Sequence, residues 1–279
     1  MAMQPISLTG GMRANLVSLQ NTNSLLELTQ KRLASGKKVN SALDDPVAYF
    51  TALAHEQRAG DLAGRKDEMS EAVQTVKAAD AGIQSINNLI EAAKSLASSA
   101  LSADSTTTAT TLMNQFNTVR TQINEMASDS GYRGVNLLGG TSVSLTIKFD
   151  ETGASKLGIT GFDGTTATTG LNISLASGWV SGTTVSASTI ETAITALDAA
   201  KDELRTESSK LANNLSIITA RQEFTQGMIN VLKDGAAGLT NADMNEEGAN
   251  MLMLQTRQAL GTTSLSLASQ AAQSVLRLF

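Results

Sequence analysis

The stretch GTTSLSLASQAAQSVLRLF, residues 261–279, has one charged side chain, that of Arg277, and neither Gly nor Pro follows Gly261. Polar Ser, Thr and Gln residues interrupt it throughout, so it does not have the composition of a membrane span. Positions that alternately step by three and four residues form a heptad stripe with several small side chains. The stripe contains Met251, Leu254, Gln258, Gly261, Leu265, Ala268, Ala272, Val275 and Phe279. This end of the chain therefore predicts a helix that packs lengthwise against another helix.

A matching stripe lies near the other end of the chain. It follows the same alternation through Met12, Leu16, Leu19, Asn23, Leu26, Gln30 and Leu33. A single thin helix of this kind is marginal in water and needs a neighbour that covers its apolar side. We therefore predict that the two terminal helices pack against each other as a coiled coil.

Between the two ends the helical periodicity continues in three further stripes. They are Ala72, Val76, Ala79, Ile83, Ile86, Ile90, Ala93, Ala97 and Ala100; Leu112, Phe116, Val119, Ile123 and Met126; and Ile190, Ile194, Leu197, Leu204, Leu211, Leu215, Ile218, Ile229 and Leu232. Asp45 followed by Pro46 predicts the start of a long helix, because the carboxylate caps the first N–H groups and Pro suits the first helical position. An irregular connector is expected from about Ser35 to Asp45.

The middle of the chain has a different composition. From Gly131 to about Ser188 it is rich in Gly, Thr and Ser, and within it Val143, Leu145, Ile147 and Phe149 alternate with polar residues, which predicts a β-hairpin with one buried face. The order helices, small β insert, helices predicts a mainly α fold of long antiparallel helices, with the first and last thirds of the chain side by side.

Composition excludes several classes of function. The chain has no cysteine, which removes disulfides and thiolate metal sites. Its net charge is −5 and its basic residues are scattered, which argues against nucleic acid and against an anionic membrane as partners. No window of 18 apolar residues and no basic and apolar leader is found, so we expect no membrane anchor and no ordinary secretory signal. We expect no cofactor.

Three separated motifs point to a known family. They are RLASGKKVNSALDDPVAY (32–49), GYRGVNLLGG (131–140) and ADMNEEGANMLMLQTRQALGTTSLSLASQAAQSVL (242–276). Together they resemble bacterial flagellin, and the short length is typical of alphaproteobacterial flagellins. The resemblance spans about 1–140 and 187–279.

The resemblance implies a terminal coiled coil, called D0, beneath a helical rod with a small β-hairpin region, called D1, and no large outer domains. The implied segments are 1–45 for the N-terminal D0 helix and the connector called the spoke, 46–140 for the N-terminal D1 helices and the hairpin start, 141–188 for the short β-rich insert, 189–239 for the C-terminal D1 helix and 240–279 for the C-terminal D0 helix.

The implied function is that of a structural subunit that polymerises with copies of itself into the flagellar filament and catalyses no reaction. The implied route is flagellar type III export to the extracellular filament. An export chaperone at the C-terminal helix and the hook-associated and cap proteins are the implied partners. Filament-core packing is expected from Met12, Leu16, Leu19, Leu26, Leu33, Leu254, Leu265, Ala268, Ala272, Val275 and Phe279.

Other residues receive local roles. Asp45 and Pro46 belong to the expected spoke, and Arg133 and Asn136 are expected to fix the turn into the hairpin, with a contact to the next subunit left open. Candidate acceptors for O-linked sugars are Thr106, Thr107, Thr108, Thr165 and Thr166. Plain solvated helix starts and loops explain the same threonines equally well.

Three alternatives remain open at this stage. A hook–filament junction protein shares the terminal helices, and a secreted helical adhesin or immune-interaction module would act as a monomer. A catalytic flagellin is suggested by HEQRA at 55–59, but the second zinc ligand of HExxH is Ala59 here and His55 is the only histidine.

Overall fold

The computed structural model describes the backbone of residues 10–276 and the side chains of residues 10–274. Within this range the elements are α1 (Gly10–Ser35), α2 (Pro46–Leu101), α3 (Thr106–Asp129), β1 (Ser144–Lys148), β2 (Lys156–Thr160), β3 (Val180–Ser181), β4 (Thr184–Val185), α4 (Ala187–Thr240) and α5 (Met244–Leu276). The predicted mainly α architecture with one small β region is therefore confirmed.

The chain divides into two compact units. One contains residues 1–57 and 231–279, and we call it the terminal unit; the other contains residues 58–230, and we call it the central unit. Helices α2 and α4 contribute residues to both.

The core of the central unit is built from the stripes that periodicity predicted. Every member of the α2 stripe from Ala72 to Ala100 is buried. Phe116 and Ile123 of α3 and Leu204 of α4 belong to the same cluster. Because residues three and four apart share a helix face, these helices present continuous apolar stripes to one another.

Polar contacts along α2 and α4 show that the two helices run antiparallel in the central unit. The Ser208 hydroxyl donates to Asp80 Oδ1 at 2.8 Å, and Gln222 Nε2 donates to Ser70 Oγ at 2.9 Å. Moving along α4 thus corresponds to moving back along α2.

The predicted hairpin is formed by β1 and β2, which pair antiparallel with Leu145 opposite Ile159 and Ile147 opposite Leu157. Ile147 and Ile159 are buried, so one face of the hairpin lies on the core. A second, shorter hairpin, β3–β4, turns at Gly182, whose φ of 61° is easily adopted only by glycine.

Residues 161–179 have no regular structure but are fixed against α3. Asn117 bonds the backbone of Ala176 twice, through Nδ2 to the carbonyl oxygen at 3.0 Å and through Oδ1 from the N–H at 2.9 Å. Arg120 Nε donates to the carbonyl of Ile173 at 2.7 Å. Buried backbone groups need such partners, so polar side chains of α3 take the place of a sheet partner here.

The same segment carries Trp179, which is fully buried and packs on Phe116 with ring centroids 5.0 Å apart. Sequence periodicity gave no sign of this contact. Trp179 supplies a large apolar side chain to a core otherwise rich in Ala and Ile.

Candidate assembly interface

Helices α1 and α5 of the terminal unit pack antiparallel. Asn23 Oδ1 accepts from Gln258 Nε2 at 2.7 Å, and Asn15 Nδ2 lies 3.5 Å from Ser264 Oγ. Eight residues back along α1 thus correspond to six forward along α5, as an antiparallel pair requires. The predicted pairing of the two chain ends is confirmed.

The α5 side of the pair follows the predicted stripe. Leu254 is buried, and Leu265, Ala268 and Ala272 are half-buried. The side chain of Val275 and the whole of Phe279 lie outside the described residues.

On the α1 side four members of the predicted stripe are covered, whereas Leu16, Asn23 and Gln30 are exposed, although Asn23 still bonds Gln258 of α5. Met12 is buried, and Leu19, Leu26 and Leu33 are half-buried. Leu16 was expected in the same stripe but is 39% exposed, so the prediction of a seam position for it is wrong.

The physical reason is the phase of the heptad on α1. The covered positions are Asn15, Thr22 and Thr29. Each lies one residue before the position that the predicted stripe expected, namely Leu16, Asn23 and Gln30. Thr22 can be buried because its hydroxyl donates to the carbonyl of Ser18 at 2.9 Å, which gives its polar atom a partner. Leu16 is consequently more exposed than Leu19, Leu26 and Leu33.

The pair leaves many large apolar side chains uncovered. On α1 and α5 they are Leu16, Val17, Leu25, Leu28, Met244, Leu252, Met253, Leu260 and Leu267. Leu43, Val47 and Phe50 extend this set at the connector and the start of α2. Concentrated apolar exposure of this kind marks an interaction surface. We call the uncovered side chains of α1 and α5 the outer apolar face.

The connector at residues 36–45 is tied to the joint between α4 and α5. The N–H groups of Lys38 and Val39 donate to the carbonyl of Thr240 at 2.8 and 3.2 Å, and the N–H of Ala242 donates to the carbonyl of Gly36 at 3.0 Å. Val39 is buried. The expected spoke is thus an ordered segment that accepts and donates backbone hydrogen bonds across the joint.

An ion pair joins the end of α1 to the start of α5. Arg32 Nη1 lies 2.9 Å from Glu247 Oε1, and the Glu247 side chain is only 10% exposed. Removing one member of such a pair leaves a mostly buried charge without a partner, which is costly. The pair therefore anchors one end of the α1–α5 pair.

Asp44 and Asp45 organise the end of the connector. The Ala48 N–H donates to Asp45 Oδ1 at 3.0 Å, and α2 begins at Pro46, so the predicted helix start is confirmed. The backbone N–H of Asn40, followed by groups of Ser41, lowers the pKa of the Asp44 carboxyl because these donors favour its charged form.

The expected turn at Arg133 and Asn136 lies in the central unit. Tyr132 and Val135 exchange two backbone hydrogen bonds of 2.9 Å, and Arg133 and Gly134 between them have φ values of 49° and 83°. A turn with two positive φ angles explains the glycine but strains the arginine.

Arg133 gains a partner in that conformation. Its Nη1 lies 2.9 Å from Glu71 Oε2, which also accepts from the Tyr132 hydroxyl at 3.1 Å. Arg133 first, and Tyr132 second, lower the pKa of the Glu71 carboxyl. The turn is thereby tied to α2.

The Asn136 side chain bonds the end of α3 and the backbone of Leu138. Its Nδ2 donates to the carbonyls of Ala127 and Ser128 at 2.8 and 2.9 Å, and its Oδ1 accepts from the Leu138 N–H. It therefore closes the last turn of α3, where carbonyls lack helical partners.

The candidate sugar acceptors divide into exposed and covered groups. Thr107 and Thr108 are exposed at the start of α3, and Thr106 is half-buried. Thr166 is 2% exposed and its hydroxyl donates to Asn124 Oδ1 at 3.0 Å, so its prediction as an acceptor is wrong.

Thr165 is half-buried as well, and its hydroxyl donates to Asp163 Oδ1 at 2.6 Å. Burial of Asp163 raises the pKa of its carboxyl, but the hydrogen bonds from Thr165 and Thr169 outweigh that effect and leave the pKa lowered. Both oxygens of this carboxylate therefore hold the segment in place.

The described residues contain no cluster of three or more His, Cys, Asp or Glu side chains arranged to hold a metal ion. His55 lies on α2 near Gly235. Across the same residues, no helix is both long and apolar enough to cross a membrane.

Comparison with known proteins agrees with this geometry. Residues 8–143 match the bacterial flagellin N-terminal helical region, and residues 187–279 match the bacterial flagellin C-terminal helical region. Flagellin FljM of Caulobacter vibrioides is 30% identical, with all of both chains covered. The chain belongs to the bacterial flagellin family. Flagellin FljK of the same organism is 28% identical over all of both chains, and a flagellin of Brucella melitensis is 28% identical over 95% of each.

Family membership makes this flagellin a structural subunit of the bacterial flagellar filament, which self-assembles and serves motility. The relatives are named flagellins, so the hook–filament junction alternative gains no support from them. The matched regions leave out residues 144–186, which contain the two hairpins and the segment fixed by α3. The matched regions include α1 and α5.

Proposed function

We propose that the outer apolar face of the terminal unit is the surface through which copies of this flagellin pack in the core of the filament. The observation that carries the proposal is that α1 and α5 cover only part of each other's apolar surface. Leu252, Leu260 and Leu267 are each more than 60% exposed although they lie on a helix that is already paired. Burying a leucine is worth about 1.5 to 3 kcal/mol.

The charge pattern supports the same arrangement. After Arg257 the next charged residue of the sequence is Arg277. In a helical polymer every copy would place the same side chains around one axis, where like charges repel each other. A low-charge helix removes that repulsion.

The set proposed for filament-core packing combines two kinds of position. Met12, Leu19, Leu26, Leu33, Leu254, Leu265, Ala268 and Ala272 hold the pair together, and Leu16 faces outward towards another copy. Val275 and Phe279 continue the sequence stripe of α5. Asp45 and Pro46 fix the spoke, and Arg133 remains exposed enough to reach a neighbouring subunit.

We further infer that the chain is exported to the extracellular filament through the flagellar type III route. Exposed leucines on α5 would associate prematurely inside the cell, so a chaperone on the C-terminal helix would be required until export. Hook-associated and cap proteins are the proposed partners at the two ends of the filament. The role is mechanical and needs no catalytic residue.

Thr107 and Thr108 remain the proposed acceptors for O-linked sugars, with Thr106 less accessible. Intact-mass measurement of filaments from the native host tests this: added hexose-like masses that Thr107→Val and Thr108→Val remove would support it. A mass equal to that of the unmodified chain would refute it.

The proposed assembly surface is tested by replacing Leu252, Leu260 and Leu267 together with Gln. We expect the critical concentration for filament formation, measured by sedimentation and electron microscopy, to rise by at least about tenfold. Leu175→Gln is the control, because Leu175 is 59% exposed but lies in the central unit. Normal assembly of the triple variant would contradict the proposal.

A further inference from the structure

Contacts at three levels of the α1–α5 pair agree on one register. Arg32 faces Glu247 at one end, and Asn23 bonds Gln258 further along. Beyond them Leu19 faces Gly261. From the first contact to the second, nine residues back along α1 match eleven forward along α5. From the second to the third, four residues back match three forward.

Gly261 is the position where the fit is closest. A methyl group added at residue 261 would lie 2.6 Å from Leu19 Cδ2 and 3.0 Å from Leu19 Cγ. Carbon atoms that are not bonded need about 3.5 Å or more. In this conformation the Leu19 side chain occupies the space that a Cβ at position 261 would fill, so any other residue there requires Leu19 or the helix to shift.

The rest of the α5 stripe offers Leu19 no equivalent place. A slip of one heptad would set Leu19 opposite Leu254 or Ala268, and Gly261 is the one glycine in the stripe from Met251 to Ala272. The same slip would set Asn23 opposite an apolar residue. That slip would remove the Asn23–Gln258 hydrogen bond, and polar residues in helix pairs are known to select register.

We propose that Gly261 determines the register of the terminal helix pair by accepting Leu19. The Asn23–Gln258 hydrogen bond and the Arg32–Glu247 ion pair favour the same register. The inference rests on the proposed assembly surface, because register decides which side chains of α5 stand beside those of α1 on the outer apolar face. A slip of seven residues would move α5 by about 10 Å along α1.

Cross-linking can measure the register directly, since the chain contains no cysteine of its own. Asn15→Cys with Ser264→Cys reports the observed register, because these side chains lie 3.5 Å apart. Asn15→Cys with Arg257→Cys or with Ala271→Cys reports a slip of one heptad in either direction. Full-length chains are assembled into filaments, oxidised, and separated by denaturing electrophoresis, which distinguishes cross-links within a chain from those between chains.

Gly261→Ala is the decisive variant, and Gly248→Ala is its matched control. Both glycines lie in α5, but a methyl group at 248 meets no atom within 4 Å. Ala favours helix more than Gly does, so the control should keep the Ser264 cross-link and assemble at least as well as the parent. Gly261→Ala should lose the Ser264 cross-link by about tenfold, as overpacking predicts, and gain a slipped one. Adding Leu19→Ala should restore the Ser264 cross-link.

Each outcome decides the proposal. If Gly261→Ala fails to assemble, the double variant with Leu19→Ala decides the result. Recovery of assembly in the double variant supports the register proposal. Failure of the double variant, while Gly248→Ala assembles normally, overturns the proposal. An unchanged Ser264 cross-link in Gly261→Ala also overturns it. If the parent chain forms no filaments, electron microscopy shows that the proposed function itself has failed, and the register proposal falls with it.

Discussion

The central and terminal units use the same kind of helix in opposite ways. In the central unit the α2 stripe from Ala72 to Ala100 is buried throughout, and its large apolar side chains find partners on α3, α4 and the hairpin. In the terminal unit α1 and α5 bury few apolar side chains and expose many. The central unit thus covers its apolar stripes within one chain, whereas the terminal unit leaves apolar side chains exposed that, in our proposal, other copies cover.

The largest effect is expected from removing the buried Phe116 ring of the central unit. Phe116→Ala should destabilise the soluble chain by about 3 to 5 kcal/mol, because it empties the site beside Trp179. Urea unfolding followed by circular dichroism measures it. The control Phe224→Ala removes the same ring from a position that is 60% exposed and should change stability by less than about 0.5 kcal/mol. Similar losses of stability in the two variants would contradict the role of the buried Phe116 ring in the central unit.

The second prediction concerns the ion pair of the terminal unit. Glu247→Gln should destabilise the filament by about 1 to 2 kcal/mol per subunit, because Arg32 keeps its charge and loses its charged partner. The urea midpoint of the soluble chain should not move. Thermal disassembly of filaments provides the measurement, and Glu246→Gln on the exposed side of the same helical turn is the control. A lower urea midpoint in the soluble variant would show that the terminal unit is stable before assembly.

A smaller effect is expected from removing the Asp45 carboxylate, which caps the start of α2. Asp45→Ala should cost the filament about 1 kcal/mol, since the Ala48 N–H loses its acceptor. Asp45→Ser should recover most of the loss, because a Ser hydroxyl caps equally well. Heat disassembly of the two variants is compared, and equal behaviour of Ala and Ser would contradict the capping role.

The smallest expected effect is a pH dependence of the central unit. The pKa of Glu71 is lowered in the folded chain, so the Glu71 carboxylate stabilises the fold at neutral pH. That stabilisation is lost as the pH falls below 4.5, the ordinary pKa of a glutamate. Glu71→Gln and Arg133→Met should both flatten the fall of the urea midpoint between about pH 7 and about pH 3. A profile that keeps the parent's slope in both variants would refute the link.

Sequence periodicity predicted the helices well, since a buried stripe repeats at a spacing that a helix imposes. It placed every α2 core residue from Ala72 to Ala100 and the start of α2 at Pro46. Periodicity could not fix the phase of α1, because Leu19, Leu26 and Leu33 fit two heptad patterns. The two patterns differ only in the positions that lie between these leucines. Which pattern is covered depends on α5, and the sequence of α1 does not contain that information.

The segment fixed by α3 was beyond prediction for a different reason. Asn117, Arg120 and Asn124 have the spacing of an ordinary solvated helix face, and only the folded backbone of residues 166–176 turns them into anchors. Thr166 looked like an accessible threonine for the same reason. Local composition does not show which loop a polar side chain will meet.

Hydrogen exchange of the full chain before and after polymerisation measures whether other copies order α1 and α5. We expect the amides of α1 and α5 to exchange rapidly in the soluble chain and to become protected in filaments. The central stretches of α2 and α4 should be protected in both states. Equal protection of α1 and α5 in the soluble chain would contradict the claim that other copies complete the terminal unit.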